Sequence, residues 1–232
     1  MDLLDYDFMR RALIAAALIG VIAPLIGVYL VQRRLALLGD GMGHVALTGV
    51  GLAFLPGLAP VPTALVVAAL GALLLELIRS RSRTAGDLAL ALVFYGGIAG
   101  GVLLTSLSSN KASTALNQYL FGSLSTVAQE DIWWLVGAGA LVLLVLAYFG
   151  REMFAMTLDP DTAHVQGIRT TRLGVLLTVL AAVTVVIGMR TVGLLLVSAI
   201  IIGMQSLIGK PKLLFLQRQR LCIQHLLVHG WP

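Results

Sequence analysis

An aspartate and a histidine stand four residues apart inside a long apolar stretch, in the sequence GDGMGHVALTG at 39–49. Residues i and i+4 of a helix are stacked neighbours, so Asp40 and His44 can share one ligand or one proton. Carboxylate oxygen and imidazole nitrogen are suitable ligands for zinc, manganese or iron. Because zinc usually takes four ligands, two side chains are half a site, and the spacing favours a dimer in which two copies of this segment meet.

A purely structural interpretation of this pair also exists. Asp40 could cap a helix that begins at Gly41, with His44 donating a hydrogen bond to a backbone carbonyl. Ionisable groups inside a membrane segment are generally functional, which favours the site interpretation. Carboxylate plus imidazole suits zinc, manganese and iron(II) alike, so the pair does not select a metal.

The composition places these side chains in a membrane protein. Of the 232 residues, 59% are hydrophobic and 12% are charged, with a mean hydropathy of +0.96, whereas a soluble domain has roughly 25% charged residues. The net charge of +5 comes from basic residues at the ends of apolar runs, where membrane anchors belong, so nucleic acid is not an expected partner. The single cysteine, Cys222, excludes an intrachain disulfide.

The apolar runs predict the fold. A helix needs about 20 apolar residues to cross the hydrocarbon core. Six segments meet this requirement, and a seventh, Leu35–Leu58, is long enough but contains the polar pair and five glycines between residues 39 and 51. The sequence therefore predicts an all-α, polytopic integral membrane helical bundle with about seven transmembrane segments. The six apolar segments are Ala12–Val31, Pro60–Ile78, Thr84–Leu107, Ile132–Gly150, Leu173–Met189 and Thr191–Ile208.

Arginine positions predict the orientation. Arginines follow the apolar segments Ala12–Val31, Pro60–Ile78 and Ile132–Gly150, and these agree with the preference of basic residues for the cytoplasm if the N-terminus is outside and Leu35–Leu58 crosses once. Arg10, Arg11 and Arg190 oppose this orientation. The stretch 108–130 then lies outside, and its composition is typical of an interfacial segment.

The loop TLDPDTAHVQGIRTTRL, at 157–173, carries helix start and stop signals. Asp159 is a good N-cap, Pro160 fits the first helical position, and Gly167 can end the helix in a left-handed conformation. Together they predict a helix of about two turns on the cytoplasmic face. On these signals alone, a simple turn and a functional helix are equal alternatives.

Two groups of glycines differ in their surroundings. Gly96, Gly97, Gly100 and Gly101 favour close helix packing in lipid. The glycines between residues 39 and 51 surround polar side chains, which favours a cavity wall or a locally bent helix.

Other polar residues have structural interpretations. Glu76 lies three residues before Arg79, which predicts an ion pair that snorkels towards the membrane surface. Asp87 follows Thr84 at capping-box spacing. His164 is expected on the surface of its loop.

The sequence contains no motif for ATP hydrolysis. The nearest approach, Gly203 to Lys210, has the wrong spacing and is followed by Pro211 where a P-loop has Ser or Thr. The hydrolase motifs HExxH and GxSxG are absent as well. The chain is therefore predicted to be a transport subunit and not an enzyme, with any ATPase on another chain.

Four stretches resemble the membrane permeases of bacterial ABC importers for zinc, manganese and iron(II). In the family, the first stretch reads approximately Gly-Asp-x-x-Ser-His-Ala, and its aspartate and histidine contact the metal on its path. The resemblance implies that role for Asp40 and His44, with a divalent metal ion as substrate and no permanently bound cofactor. Gly43 and Val45 replace the family's serine and alanine. The stretches are RRLALLGDGMGHVALTGVGLAF (33–54), LNQYLFGSLSTV (116–127), LDPDTAHVQGI (158–168) and TVGLLLVSAII (191–201).

The resemblance also implies partners. The family's cytoplasmic loop has the pattern Asp-x-x-x-Ala-x-x-x-Gly, which Asp159, Ala163 and Gly167 match, with Pro160 at the helix start. That loop forms a coupling helix that docks into the ATPase. The complete machine is then two permeases, two ATP-binding subunits and an extracytoplasmic metal-binding protein in the lipid of the bacterial inner membrane.

The C-terminal end departs from the family. After VSAII the family continues with a further span, whereas this chain continues GMQSLIGKPKLLFLQRQRLCIQHLLVHGWP. The change predicts a permease domain at 1–204 and a basic tail at 205–232, produced by a shifted reading frame or a truncated, fused end. His225 and His229 repeat the i, i+4 spacing, but a tail on the membrane surface or a disordered tail is favoured over a metal site.

The leading hypothesis is the permease subunit of an ATP-driven importer for divalent transition metal ions. A stand-alone metal or proton transporter or channel, in which Asp40 and His44 relay protons, is one alternative. The other is an inactive, truncated permease that lacks its final helices.

Overall fold

The computed structural model describes residues 7–33, 35, 37–81, 86–108, 117–122, 129–201 and 203. Every regular element within these ranges is a helix, as the apolar runs predict. The capping pair Thr84 and Asp87, and the tail with His225 and His229, lie outside the described side chains. The helices are α1 (Asp7–Gln32), α2 (Leu38–Phe54), α3 (Pro60–Arg81), α4 (Gly86–Leu107), α5 (Gln129–Leu158), α6 (Pro160–Val165) and α7 (Thr170–Thr191). Short helical segments at 117–121 and 194–201 complete the described structure.

Five helices in the described ranges are long and apolar enough to cross a membrane: α1, α3, α4, α5 and α7. They correspond to five of the six apolar segments and confirm a polytopic helical bundle. The prediction of the sixth segment, Thr191–Ile208, is wrong at its start, because Thr191 is the last residue of α7. A turn that contains Gly193, at φ +87°, separates α7 from the helical residues 194–201. Since residues 204–232 lie outside the description, the total of about seven spans stays a prediction.

Helix α2 lies within the predicted segment Leu35–Leu58 and packs against α3, α4 and residues 194–201. It has 17 residues, whereas a membrane span needs about 20. Its five glycines face neighbouring side chains and backbone on several sides. Gly39 faces Ile201, Gly41 faces Leu90 and Phe94, Gly43 faces Leu194, Gly49 faces Ala64 and Val67, and Gly51 faces Leu104.

Helices α2 and α4 touch through their backbones. A Cβ atom at Gly97 would lie 2.9 Å from the carbonyl carbon of His44, and only glycine permits that separation. The Thr48 hydroxyl donates a hydrogen bond of 2.7 Å to the carbonyl oxygen of Gly97. Packing is therefore confirmed for Gly97, whereas a Cβ at Gly96 would have nothing within 4 Å.

Part of the stretch 108–130 returns into the bundle. Tyr119, in the helical segment 117–121, is 4% exposed. Gly122 and Gly193, both at positive φ, bring the backbones of two turns into contact. Arg190 lies 5.2 Å from the centre of the Tyr119 ring, a cation–π contact that accommodates a basic residue at this end of α7.

Helix α7 forms the centre of the described bundle. Of the 18 residues in its most apolar stretch, 72% are buried, whereas 17% of the corresponding stretch of α4 is buried. Its first residues follow α6 directly, at the end of the bundle where α1, α3 and α5 finish. We call this end the α6 end.

Candidate metal site

Asp40 and His44 form a pair on one face of α2, as their spacing predicts. The Nε2 atom of His44 lies 3.9 Å from Oδ1 of Asp40. Helix α2 begins at Leu38, and its N-cap is Leu37, which makes no side-chain capping bond. Asp40 therefore lies inside the first turn, and the interpretation of Asp40 as the cap of a helix beginning at Gly41 is wrong.

His44 lies level with the middle of a membrane-spanning helix, and Asp40 lies one turn nearer the Leu88 end of that helix. His44 touches α4 at Gly97, and Gly97 is near the midpoint of the candidate span Leu88–Leu107. A carboxylate and an imidazole at this depth are costly in lipid unless they face protein or water. The side chains of His44 and Asp40 are 20% and 27% exposed, so both remain accessible at the surface of this single chain.

The pair borders an aromatic wall. Asp40 lines a cavity of about 260 Å³ together with Leu37, Leu90, Ala91, Phe94 and Tyr95. The Phe94 ring meets the His44 ring edge-on, with centres 5.0 Å apart and planes at 79°. An apolar shell controls water access to a metal site and strengthens electrostatic attraction within it. No local sequence pattern predicts the contact between the His44 and Phe94 rings, because residues 44 and 94 meet only through the packing of α2 on α4.

Within the described residues, no group of three or more His, Cys, Asp or Glu side chains converges on a possible metal position. Asp40 and His44 thus provide two donors. The space beside Gly43 is occupied by Leu194, which is fully buried. A Cβ atom at Gly43 would overlap the Leu194 side chain. The His44 ring packs edge-on against Phe94, and the His44 backbone lies against Gly97.

The predicted loop helix is confirmed as α6. It begins at Pro160 and has six residues. Its end is a Schellman motif: Ile168 N–H bonds to the carbonyl of Ala163 and Gly167 N–H to that of His164, with Gly167 at φ +83°. Ala163 is buried against the bundle at 2% exposure.

The outer face of α6 is open. Val165 is 88% exposed, and His164 is exposed as expected. Asp159, immediately before the helix, is exposed too.

Glu76 differs from its predicted environment. Its ion pair with Arg79 is confirmed, with Nη1 and Oε2 3.4 Å apart. Glu76 is only 6% exposed, so it does not snorkel, and its carboxylate faces Thr178 of α7. The i, i+3 spacing identified the local partner, whereas the partner on α7 is 102 residues away along the chain.

Comparison with known proteins identifies the wider group. The sequence matches the family model described as "ABC 3 transport family" over residues 5–206. It is 33% identical over 198 residues to the manganese import system permease protein ScaB of Streptococcus gordonii, covering 85% of this chain and 70% of that protein. It is 32% identical to the manganese transport system membrane protein MntC of Halalkalibacterium halodurans, covering 87% of this chain and 68% of that one.

A solved structure has the same fold. The structure "PsaBC from Streptococcus pneumoniae in complex with Fab" superposes with a TM-score of 0.74 at 30% identity, covering 86% of this chain and 72% of the matched chain. The helical bundle and its order of elements are therefore shared with a protein of known structure.

Proposed function

The chain belongs to the ABC 3 transport family and is the permease subunit of a metal importer in the inner membrane, and from this premise we propose that Asp40 and His44 contact a divalent metal ion as it crosses the bilayer. The observation that carries the proposal is the position of this pair: a carboxylate that lines a cavity and an imidazole one turn away, beside the middle of a membrane span. The manganese in the names of the relatives supports Mn²⁺ as the substrate, with zinc and iron(II) as the other candidates.

A second copy of the chain supplies the remaining ligands in this proposal. Mn²⁺ takes up to about six ligands, and Asp40 and His44 provide two. Both side chains are partly exposed on the single chain. Two copies related by a two-fold axis would bring two aspartates and two histidines together at a self-complementary surface.

The energy for transport comes from a separate ATP-binding subunit that docks on α6. The support is the sharply bounded α6 helix, with Val165 exposed on its outer face. Asp159, Pro160, Ala163 and Gly167 build the fold of this helix. An extracytoplasmic metal-binding protein delivers the ion to the opposite end.

The function is tested with the complete importer in proteoliposomes. The permease is co-expressed with its ATP-binding subunit, and accumulation of radioactive Mn²⁺ is followed with the binding protein, with and without ATP. ATP-dependent accumulation is expected, with Zn²⁺ and Fe²⁺ as competing ions that define selectivity. Accumulation driven by a pH gradient without ATP would favour the secondary transporter instead, and no accumulation by a folded complex would favour the inactive permease.

Docking on α6 predicts an effect of Val165→Asp. Val165 is 88% exposed, so the substitution leaves the fold of the permease intact but places a charge in an apolar contact. Burying an unpaired charge at an interface costs ~2–5 kcal/mol. We expect the ATP-binding subunit to be lost from affinity-purified permease, while Val165→Ala retains it. Equal recovery of the ATPase with both variants would contradict docking on α6.

The permease domain is assigned to 1–204 and the basic tail to 205–232. The family match over residues 5–206 supports this division. The nucleotide sequence around codon 203 tests it, because a shifted frame predicts that the family pattern resumes in another frame at that point.

A further inference from the structure

A partly buried charge cluster joins three parts of the bundle at the α6 end. It consists of Arg33 after α1, Glu76 and Arg79 on α3, and Thr178 on α7. Glu76 is 6% exposed and Thr178 is 0% exposed. The metal path as proposed above does not use any of these side chains.

Glu76 is the common partner in this cluster. Its Oε2 atom lies 3.4 Å from Arg79 Nη1 and 3.4 Å from the oxygen of the Thr178 hydroxyl, whose single proton can be shared between this carboxylate and the Gly174 carbonyl at 2.9 Å. A Cβ atom at Gly174 would lie 2.7 Å from Glu76 Oε1 and 3.0 Å from Arg33 Nη1. The absence of a side chain at Gly174 thus lets the carboxylate and the guanidinium reach the backbone of α7.

The Glu76 carboxylate offsets part of the cost of burying the positive charge of Arg33. Burial lowers the pKa of Arg33, the charge of Arg79 lowers it further, and Glu76 raises it. The Nη1 atom of Arg33 is buried and has no hydrogen-bond partner among the described residues. Removing Glu76 would therefore leave the partly buried charge of Arg33 without the nearby carboxylate that favours its charged form.

The cluster lies between the proposed docking helix and the proposed metal ligands. On one side, Gly174 and Thr178 belong to the first turns of α7, directly after α6. On the other, α3 packs on α2 next to the metal pair, where Val45 lies against Gly71. A densely packed interior cannot deform continuously, so a displacement of one helix is passed on to the helices packed against it.

We propose that Glu76 is a positioning residue that fastens α7 to α3, so that displacement of α6 by the ATPase reaches α2 with Asp40 and His44. This inference rests on the proposed function. Glu76 itself does not contact the ion. Its role is to keep ATP hydrolysis coupled to metal movement.

The test compares two buried threonines of α7 in the reconstituted importer. Thr178 and Thr184 are both 0% exposed, and both donate to a carbonyl four residues earlier, but only Thr178 also reaches Glu76. Uptake of Mn²⁺ per ATP hydrolysed is measured for Thr178→Val, Thr184→Val and Glu76→Gln. We expect Glu76→Gln to lower this ratio at least ~5-fold and Thr178→Val to lower it less, with Thr184→Val at the wild-type ratio.

The outcomes separate coupling from simple structural support. A structural role would lower the yield of folded complex, and with it uptake and hydrolysis together, at an unchanged ratio; that result would overturn the proposal. If Glu76→Gln gives no folded complex, the threonine pair decides, since equal ratios for Thr178→Val and Thr184→Val would also overturn it. Absence of ATP-driven uptake by the wild-type importer would instead refute the proposed function.

Discussion

Asp40→Asn is expected to reduce ATP-driven metal uptake at least ~100-fold, since even the outer-shell partners of metal ligands contribute 10–100-fold. Asparagine has nearly the same volume as aspartate but lacks the negative charge that attracts a divalent cation. The Asp40–His44 contact is long, at 3.9 Å, and partly exposed, so it contributes under ~1 kcal/mol to stability. Folding and recovery of the ATP-binding subunit should therefore be unchanged. Initial rates of radioactive Mn²⁺ uptake in proteoliposomes measure the effect.

The conservative variant Asp40→Glu is the matched control. It keeps the charge but moves the carboxylate outward by one methylene, so partial uptake with altered preference among Mn²⁺, Zn²⁺ and Fe²⁺ is expected. Wild-type uptake by Asp40→Asn would remove Asp40 from the metal path. A loss of uptake that occurs only when a pH gradient is the driving force would favour the proton relay instead.

The features that were predicted correctly from sequence are local ones. The pairing of Asp40 with His44 follows from helical periodicity alone. Helix α6 is specified within nine residues by Asp159, Pro160 and Gly167, whose conformational preferences act on the adjacent backbone. The apolar spans are similarly local, because hydropathy over about 20 residues decides whether a helix can lie in lipid.

The features that were missed depend on contacts between distant parts of the chain. The i, i+3 spacing to Arg79 predicts a Glu76 that snorkels towards the membrane surface, yet Glu76 is buried and its carboxylate faces Thr178 of α7. The packing of α3, α4 and 194–201 against the glycines of α2 has no signal in the sequence, because these segments are far apart along the chain. Gly193 was read as part of a continuous span, although glycine inside an apolar helical pattern is also a signal for a break.

That break leads to the second prediction, for Gly193→Ala. Gly193 has φ +87°, and a Cβ atom there would overlap the backbone of Phe121 and lie 2.6 Å from the Gly122 nitrogen. The positive φ costs ~1–3 kcal/mol and the steric overlap a further ~1–3 kcal/mol, which a backbone neighbour cannot relieve by rotating. A large fall in apparent Tm of the detergent-purified complex is expected, together with loss of metal uptake.

Gly57→Ala isolates the conformational part of this cost. Gly57 has φ +73°, but a Cβ atom there has nothing within 4 Å, so its variant should lose stability through backbone strain alone and retain uptake. The difference between the two variants measures the contact between the turns at Gly122 and Gly193. That contact fixes the start of residues 194–201, which place Leu194 beside Gly43 and Ile201 beside Gly39, on either side of Asp40. Equal losses of stability in the two variants would mean that the turn does not hold α2, and the position of the metal pair would then depend on α3 and α4 alone.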